Sequence, residues 1–360
     1  MKREQNKYIF APVGGYKTRR HIFRNTVLIL LPILIVLVFA LNFVFFQQPV
    51  LRKLNLTVLN LPADLEQYSI LHLSDLHGAE YGKGQKAIAA ALGSIRYSCV
   101  VMTGDMLGED HDTKPLLELV ELMPKETPKY YIPGDTDGDW LDDRAHGTLS
   151  IYKDWATELQ QAGIILLDRP ISETRQKGTV WFVPEELYTL DLKEMSASYT
   201  EQLDRLNKRS ASLTPDDAAR KRVVEYELER YESIRETVKS FKAEDLQIVL
   251  THTPLSESYV EEISSWTGKE DFFSLRYAGL ILAGHYNGGQ WRLPGIGAVY
   301  VPELGWFPED EEIQGLSYPN GTPQYISPGL GSDPHYEHQP GRLFNTPVIT
   351  RIVLTSKATK

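Results

Sequence analysis

The 360-residue sequence contains a single cysteine, Cys99, so no disulfide can form within the chain and a disulfide scaffold is excluded. It has no internal repeats and no low-complexity tracts, which rules out solenoids and collagen-like rods. Positive charge is in short supply. Thirty-eight Lys and Arg face 48 Asp and Glu, for a net charge of −10. That balance argues against general nucleic-acid binding, which needs basic surface to displace counterions. Apolar residues are not scarce: at 42% they exceed what a disordered chain carries. The length allows one large or two medium domains with a sizeable core.

What is present is unevenly placed. Residues 1–53 hold nine Lys and Arg against one Glu, a local +8 that leaves −18 for residues 54–360. Residues 27–46 read VLILLPILIVLVFALNFVFF, an uncharged run that as a helix spans about 30 Å, the hydrocarbon thickness of a bilayer. Pro32 and Asn42 are tolerable in such a helix. Basic residues concentrate before the run, so the positive-inside rule makes residues 1–26 a cytoplasmic segment and residues 27–46 a single transmembrane helix of the cell membrane. The remainder is then extracytoplasmic. A cleavable signal would have a shorter apolar stretch and a small-residue cleavage site, and a buried core helix would carry a polar stripe; neither pattern is present. One span can anchor a protein but cannot form a translocation path, which excludes a transporter.

Five apolar runs in residues 54–360 end in polar signatures: YSILHLSDLH to His77, SCVVMTGD to Asp105, KYYIPGD to Asp135, LQIVLTH to His252 and AGLILAGH to His285. Near-continuous apolar runs fit strands buried on both faces of a sheet, and open α/β sheets place ligand sites at the C-terminal strand ends. Helical patterns lie between them, for example Leu149, Tyr152, Trp155 and Leu159 on one face. The fold class is therefore a layered α/β sandwich. Residues 186–244 break the rhythm as a charged, helix-forming insertion. Thr214-Pro215-Asp216-Asp217 starts a helix there, with Val224, Leu228, Tyr231, Ile234, Val238 and Phe241 on one face, and a second helix over 191–209 pairs with it as a hairpin.

The polar residues that close the strands are Asp75 with His77, Asp105, Asp135, His252, and His285 with Asn287. Carboxylates and imidazoles brought from separate strands to one edge are the ligands a divalent metal pair requires. Two ions about 3.5–4 Å apart can share a nucleophilic hydroxide and clamp a phosphoryl oxygen. Each piece alone is weak, because a lone histidine is more often structural than a ligand. Five pieces in order, each closing an apolar strand, point to a metal site.

Asp75-Leu76-His77, Gly104-Asp105, Gly134-Asp135, His252-Thr253-Pro254 and Gly284-His285-Tyr286-Asn287 resemble the motifs of the calcineurin-like metallophosphoesterases. Gly288-Gly289-Gln290, the YISPGLG run at 325–331, Arg342 and Asn345 are similar to a membrane-anchored branch that includes UDP-diacylglucosamine pyrophosphatase-like and cell-wall phosphodiesterase proteins. The resemblance covers residues 54–355 apart from 186–244. It implies a four-layer α/β/β/α sandwich with two divalent metal ions. Asp105 would bridge them; Asp75, His77 and position 287 would hold the first, and Asp135, His252 and His285 the second. Asp105, Asp135 and Thr136 fall on the family's catalytic positions.

Three positions depart from the family pattern. Asp135 replaces an asparagine and keeps an oxygen ligand while adding charge. Asn287 replaces a histidine and can ligate only through its amide oxygen, which favours Mn²⁺ or Mg²⁺ over Zn²⁺ or Fe. Thr136 replaces the histidine that would donate a proton to the leaving group, a contribution typically worth about 10²–10⁴-fold. Asp137, Asp139, Asp142, His111, His335 and His338 are the candidates to replace it. Two functions fit these residues. One is a membrane-anchored, metal-dependent phosphoesterase acting on a phosphodiester or pyrophosphate in a phosphorylated small molecule, lipid or cell-envelope precursor. The other is a catalytically degenerate scaffold that binds a protein partner through 186–244.

Overall fold

The computed structural model describes residues 14–356 except 60, 146–148, 177, 210–212, 243, 266–277, 302 and 333–340; His335 and His338 thus lie outside the described residues. The chain divides into two compact units, Met1–Gln47 and Gln48–Lys360.

The first unit is helix α1 (Gly14–Phe46), which begins well before the apolar run. Its segment His21–Phe46 has a mean hydropathy of 3.1 and is, among the described residues, the one helix long and apolar enough to cross a membrane. Most of its leucine, isoleucine and valine side chains are exposed, giving the helix an apolar surface on all sides.

The second unit is built on two six-stranded sheets. One has the order β1 (Val50–Thr57), β16 (Val348–Thr355), β2 (Ser69–Leu73), β3 (Cys99–Thr103), β4 (Lys129–Ile132) and β5 (Ile165–Leu166). The other runs β14 (Gly315–Ser317), β15 (Gln324–Ile326), β9 (Ala278–Ala283), β8 (Leu246–Leu250), β7 (Thr179–Pro184) and β6 (Ile171–Thr174). Strands β2–β3–β4 are parallel, as are β7–β8–β9. Their C-terminal ends therefore share an edge within each sheet. Strand β16 runs antiparallel to β2 and parallel to β1, with Thr350 opposite His72 and Val50 opposite Val348. The start of β1 consequently lies level with the end of β2.

Alternation along the strands explains the layers. Ile70, Val101, Tyr130 and Ile352 face inward and meet Phe182, Ile248, Leu280 and Tyr325 of the other sheet in one buried cluster. Leu71, Leu73, Val100, Met102 and Tyr131 face the other way, onto helices α2 (Lys86–Leu92), α3 (Lys114–Glu121) and α4 (Asp154–Gln161). Trp181, Val183, Val249 and Ile281 of the second sheet are buried with residues of α5 (Leu192–Lys208), α6 (Pro215–Val238) and α7 (Glu257–Ser265). The four-layer α/β/β/α sandwich is the architecture observed. Cys99 is buried and free in the inter-sheet core.

One expected helix face is shorter than its periodicity suggests. Lys153 is extended and starts α4, so Trp155 and Leu159 are buried, whereas Leu149 is exposed and Tyr152 bridges Leu141. The two helices expected within 186–244 form. Asp191 caps α5 by accepting from the amides of Lys193 and Glu194, and Thr214 and Asp217 form a reciprocal capping box on α6. Helix α6 is bound to the body: Arg230 Nε donates to the Asp168 carbonyl at 2.7 Å, Tyr152 donates to Tyr226 at 3.0 Å, and Tyr226 donates to Asp168.

Candidate metal centre

The strand ends deliver Asp75 and His77 after β2, Asp105 after β3, Asp135 after β4, His252 after β8, and His285 with Asn287 after β9. To turn inward so soon after a strand, the backbone adopts the left-handed region at Asp75 (φ 51°), His77 (46°), Asp105 (53°), His285 (79°) and Asn287 (48°). Side chains there cost about 1–2 kcal/mol each, and such strain gathers at functional sites. Cross-loop backbone bonds hold it: Asp75 N to Gly104 O at 3.0 Å, His77 N to Asp105 O at 2.9 Å and Gly284 N to His252 O at 2.9 Å. Gly104 is required at φ 80° because a Cβ there would sit 2.6 Å from both Gly134 N and His252 Nδ1.

Asp105 is central. Its Oδ1 accepts from Thr136 N at 2.8 Å and Thr136 Oγ1 at 2.9 Å, while its Oδ2 lies 3.2 Å from His252 Nε2 and 3.8 Å from His77 Nε2. His252 Nδ1 donates to the Thr103 carbonyl at 2.9 Å, so Nε2 is the nitrogen turned to the site. Asp135 Oδ2 is 3.2 Å from His285 Nδ1 and 3.9 Å from His252 Nε2. Asp75 Oδ1 accepts from His285 N at 2.8 Å, and Asn287 Nδ2 stands 3.4 Å from His77 Nε2. Among the described residues, two groups have ligand atoms close enough for a cation: Asp75, Asp105 and His252, and Asp135, His252 and His285.

The electrostatics are those of crowded, buried charge. Burial raises the Asp75 carboxyl above its ordinary range. Burial also opposes the charge of Asp105, but hydrogen bonding and attraction to His252, then attraction to His77, hold it below the carboxylate range. His252 resists burial because Asp105 and then Asp75 favour its cation, raising it to about 10. The hydrogen bond with His285 is the leading cause that lowers Asp135.

The donors suit divalent metal ions. Asp75 Oδ2 and Asn287 Oδ1 are buried without a hydrogen-bond partner, a costly arrangement that a cation beside them would relieve. Carboxylate and amide oxygens with imidazole nitrogens match the oxygen- and nitrogen-binding ions.

The proton-donor candidates separate. Asp137 is fully buried and accepts from the amides of Gly134, Met106 and Leu107, so it fastens two loops. His111 stacks on Trp155 at 5.9 Å. Asp139 and Asp142 line a cavity of about 950 Å³ that also reaches Gly134 and His252. Tyr199 of α5 and Glu227 of α6 line the same cavity.

Sequence reasoning missed Glu303, whose Oε1 is 4.0 Å from His285 Nε2; it lies in a Gly/Pro-rich stretch with no strand end to mark it. It also left Arg342 and Asn345 without a structural role. Arg342 is buried and donates to the carbonyls of Gly331, Pro328 and Asn345 at 2.8, 2.7 and 3.1 Å. Asn345 donates to Asn287 O at 2.7 Å, and Gly331 N donates to Asp75 O at 2.5 Å. These bonds brace the ligand loops. Arg342→Lys cannot satisfy the same carbonyls and is expected to cost about 2–4 kcal/mol, read as a lower urea midpoint with an unchanged slope.

No curated protein matches the chain. Among solved structures it is similar to a phosphopantetheinyl hydrolase from Mycobacterium tuberculosis, at 15% identity and a TM-score of 0.34, covering 73% of this chain and 89% of that one. It is also similar to a putative 5′-nucleotidase from Staphylococcus aureus, at 9% identity and a TM-score of 0.33, covering 81% of this chain and 55% of that one. The sequence matches the calcineurin-like phosphoesterase family over residues 68–286, more than half of its length and including every candidate ligand but Asn287, and the protein belongs to that family.

Proposed function

We propose that the protein is a membrane-anchored, metal-dependent phosphoesterase hydrolysing a phosphodiester or pyrophosphate bond in a lipid or cell-envelope precursor. In this reading residues 27–46 anchor it, residues 1–26 are cytoplasmic, and the sandwich over 54–355, with its 186–244 insertion, is extracytoplasmic. It is the membrane-anchored branch of the family that this arrangement fits. The observation that carries the reading is the convergence of three carboxylates, three imidazoles and an amide from five strand ends, with two buried oxygens among them unpartnered.

Asp75, His77, Asp105 and Asn287 would hold one divalent ion, and Asp105, Asp135, His252 and His285 the other, with Mn²⁺ or Mg²⁺ favoured over Zn²⁺ or Fe. Bound there, such ions supply Lewis-acid activation of water and of the phosphoryl group. The protein's own groups do the positioning. Thr136 donates to Asp105 Oδ1 and fixes that carboxylate's orientation, while the Thr103 carbonyl fixes the His252 tautomer. The cavity beside Gly134 and His252 gives room for the rest of the substrate. Because helices α5 and α6 line it, the insertion is better read as a wall of the substrate cleft than as a partner-docking arm.

The test is hydrolysis of bis(p-nitrophenyl) phosphate by the full chain in detergent. Turnover is expected with Mn²⁺, lost on chelation with EDTA and restored by Mn²⁺. Absence of metal-dependent turnover sinks the enzyme reading. The scaffold reading rests on Thr136 and Asn287 together with the 186–244 insertion; the Thr136 hydroxyl is spent on Asp105. It would gain if the chain bound metal without any turnover and removal of 186–244 abolished capture of a partner.

A further inference from the structure

We propose that the hairpin pair built from residues 292–301 and 303–307 is a second membrane contact, a lipid-facing rim that seats the metal centre against the bilayer that also holds α1. This rests on the anchor reading of residues 27–46. Two short antiparallel pairs make the rim: β10 (Arg292–Leu293) with β11 (Gly297–Ala298), and β12 (Tyr300–Val301) with β13 (Gly305–Trp306). Their buried sides, Ala298 and Val301, pack with Ile313 and against Tyr286, the residue between His285 and Asn287. The other side faces out. Ile296 is 68% exposed, Trp306 71% and Phe307 58%, with Leu293, Tyr300 and Leu304 also exposed. Soluble surfaces rarely gather that many large apolar side chains within a few turns. Glu303 of the same loop stands 4.0 Å from His285 Nε2, so the patch borders the candidate metal centre.

Chain connectivity supplies the occupant. Only Gln47, Gln48 and Pro49 separate α1 from β1, a connection that reaches at most about 14 Å when extended. Val50 enters the sheet opposite Val348, and Val50 N donates to Pro347 O. Val348 N in turn donates to Gly329 O, and Gly329 abuts Asp75. The tether therefore attaches at the ligand-bearing edge of the sandwich, not at the opposite edge where β2, β3 and β4 begin. With that edge held at the bilayer, the apolar rim meets lipid. Acidic residues 309–312 flank the rim and Arg292 is the one cation on these hairpins, so contact is by apolar insertion of Trp306, Phe307 and Ile296 into an uncharged or zwitterionic interface. A phosphoester displayed at a membrane surface is then within reach of the centre.

The experiment uses the full chain reconstituted in phosphatidylcholine vesicles. Phe307→Cys carries a polarity-sensitive fluorophore, and Glu126→Cys, which precedes β4 at the opposite edge, carries the same label as control. Cys99 is fully buried and does not compete for label. The expected result is a blue-shifted emission at 307 that nitroxide lipids quench, with the label at 126 water-like and unquenched. Water-like, unquenched emission at 307 overturns the proposal, as does shielding in native membranes that lipid quenchers do not affect, since that marks a protein partner. In a second arm, Trp306→Glu with Phe307→Glu is expected to raise KM about tenfold or more for a phosphodiester embedded in vesicles. Turnover of soluble bis(p-nitrophenyl) phosphate should stay unchanged, and an equal loss on both substrates overturns the proposal. Quenching at 307 without hydrolysis of any ester would refute the enzyme reading and leave the rim standing.

Discussion

Asp105→Asn is expected to lower Mn²⁺-dependent hydrolysis by about a thousandfold or more, beyond the 10–100-fold typical of changes outside the ligand sphere. The substitution keeps the shape and removes the charge. It also breaks the local hydrogen-bond pattern whichever way the amide turns. Oδ1 accepts from both Thr136 donors and Oδ2 faces His252 Nε2, whereas an amide nitrogen accepts from neither. Metal content measured on the same sample should fall as well. The fold should survive, because the core between the sheets and those outside them do not include Asp105. Retained turnover with the variant would remove Asp105 from the centre.

Thr136→His is expected to accelerate hydrolysis of esters with poor alkyl leaving groups by about 10²–10⁴-fold. A p-nitrophenyl ester should gain little, since its leaving group departs without a proton. The reason lies in acidity and in the contact observed. A threonine hydroxyl stays protonated far above neutral pH, and here its one proton is directed at Asp105. An imidazole has an ordinary pKa near 6.5, far below that of a hydroxyl, and so is the better proton donor to a leaving group. The comparison of the two esters checks this. Equal gains on both would indicate improved metal binding instead, and no gain on the alkyl ester would mean that a group already present donates. Asp139 and Asp142 on the cavity wall are then the residues to replace.

The fold was legible because buried strands write themselves as apolar runs, and because side chains with metal-binding chemistry stand where those runs stop. The five runs ending at His77, Asp105, Asp135, His252 and His285 are β2, β3, β4, β8 and β9. The helix start at Thr214 was also readable, since capping is decided within four residues. Less legible were features that depend on partners distant in sequence. Nothing near Arg342 announces that its guanidinium will tie four carbonyls behind the ligand loops. Glu303 reaches His285 only because two hairpins fold back. The periodicity from Leu149 to Leu159 overran the true helix because Lys153 is held extended, and Tyr152 pairs with Leu141 instead. Roles for Asp137 and His111 were equally open in sequence; Asp137 is consumed by backbone amides, and the His111 ring stacks on Trp155.

The position of β16 has a consequence for the order in which the protein can mature. All seven proposed ligands have been synthesised by residue 287, yet the strand that joins β1 to β2 spans Val348–Thr355. A growing chain thus holds every ligand while the first sheet is still split, with two unpaired strand edges exposed to association. Closure requires contacts almost three hundred residues apart in sequence, the slowest kind to form. Arg342 and the 327–331 loop arrive in the same late stretch. The strand that closes the first sheet and the residues that brace the ligand loops thus come last in synthesis, and a chain stopped short of residue 348 is expected to carry the chemistry of the site without its geometry.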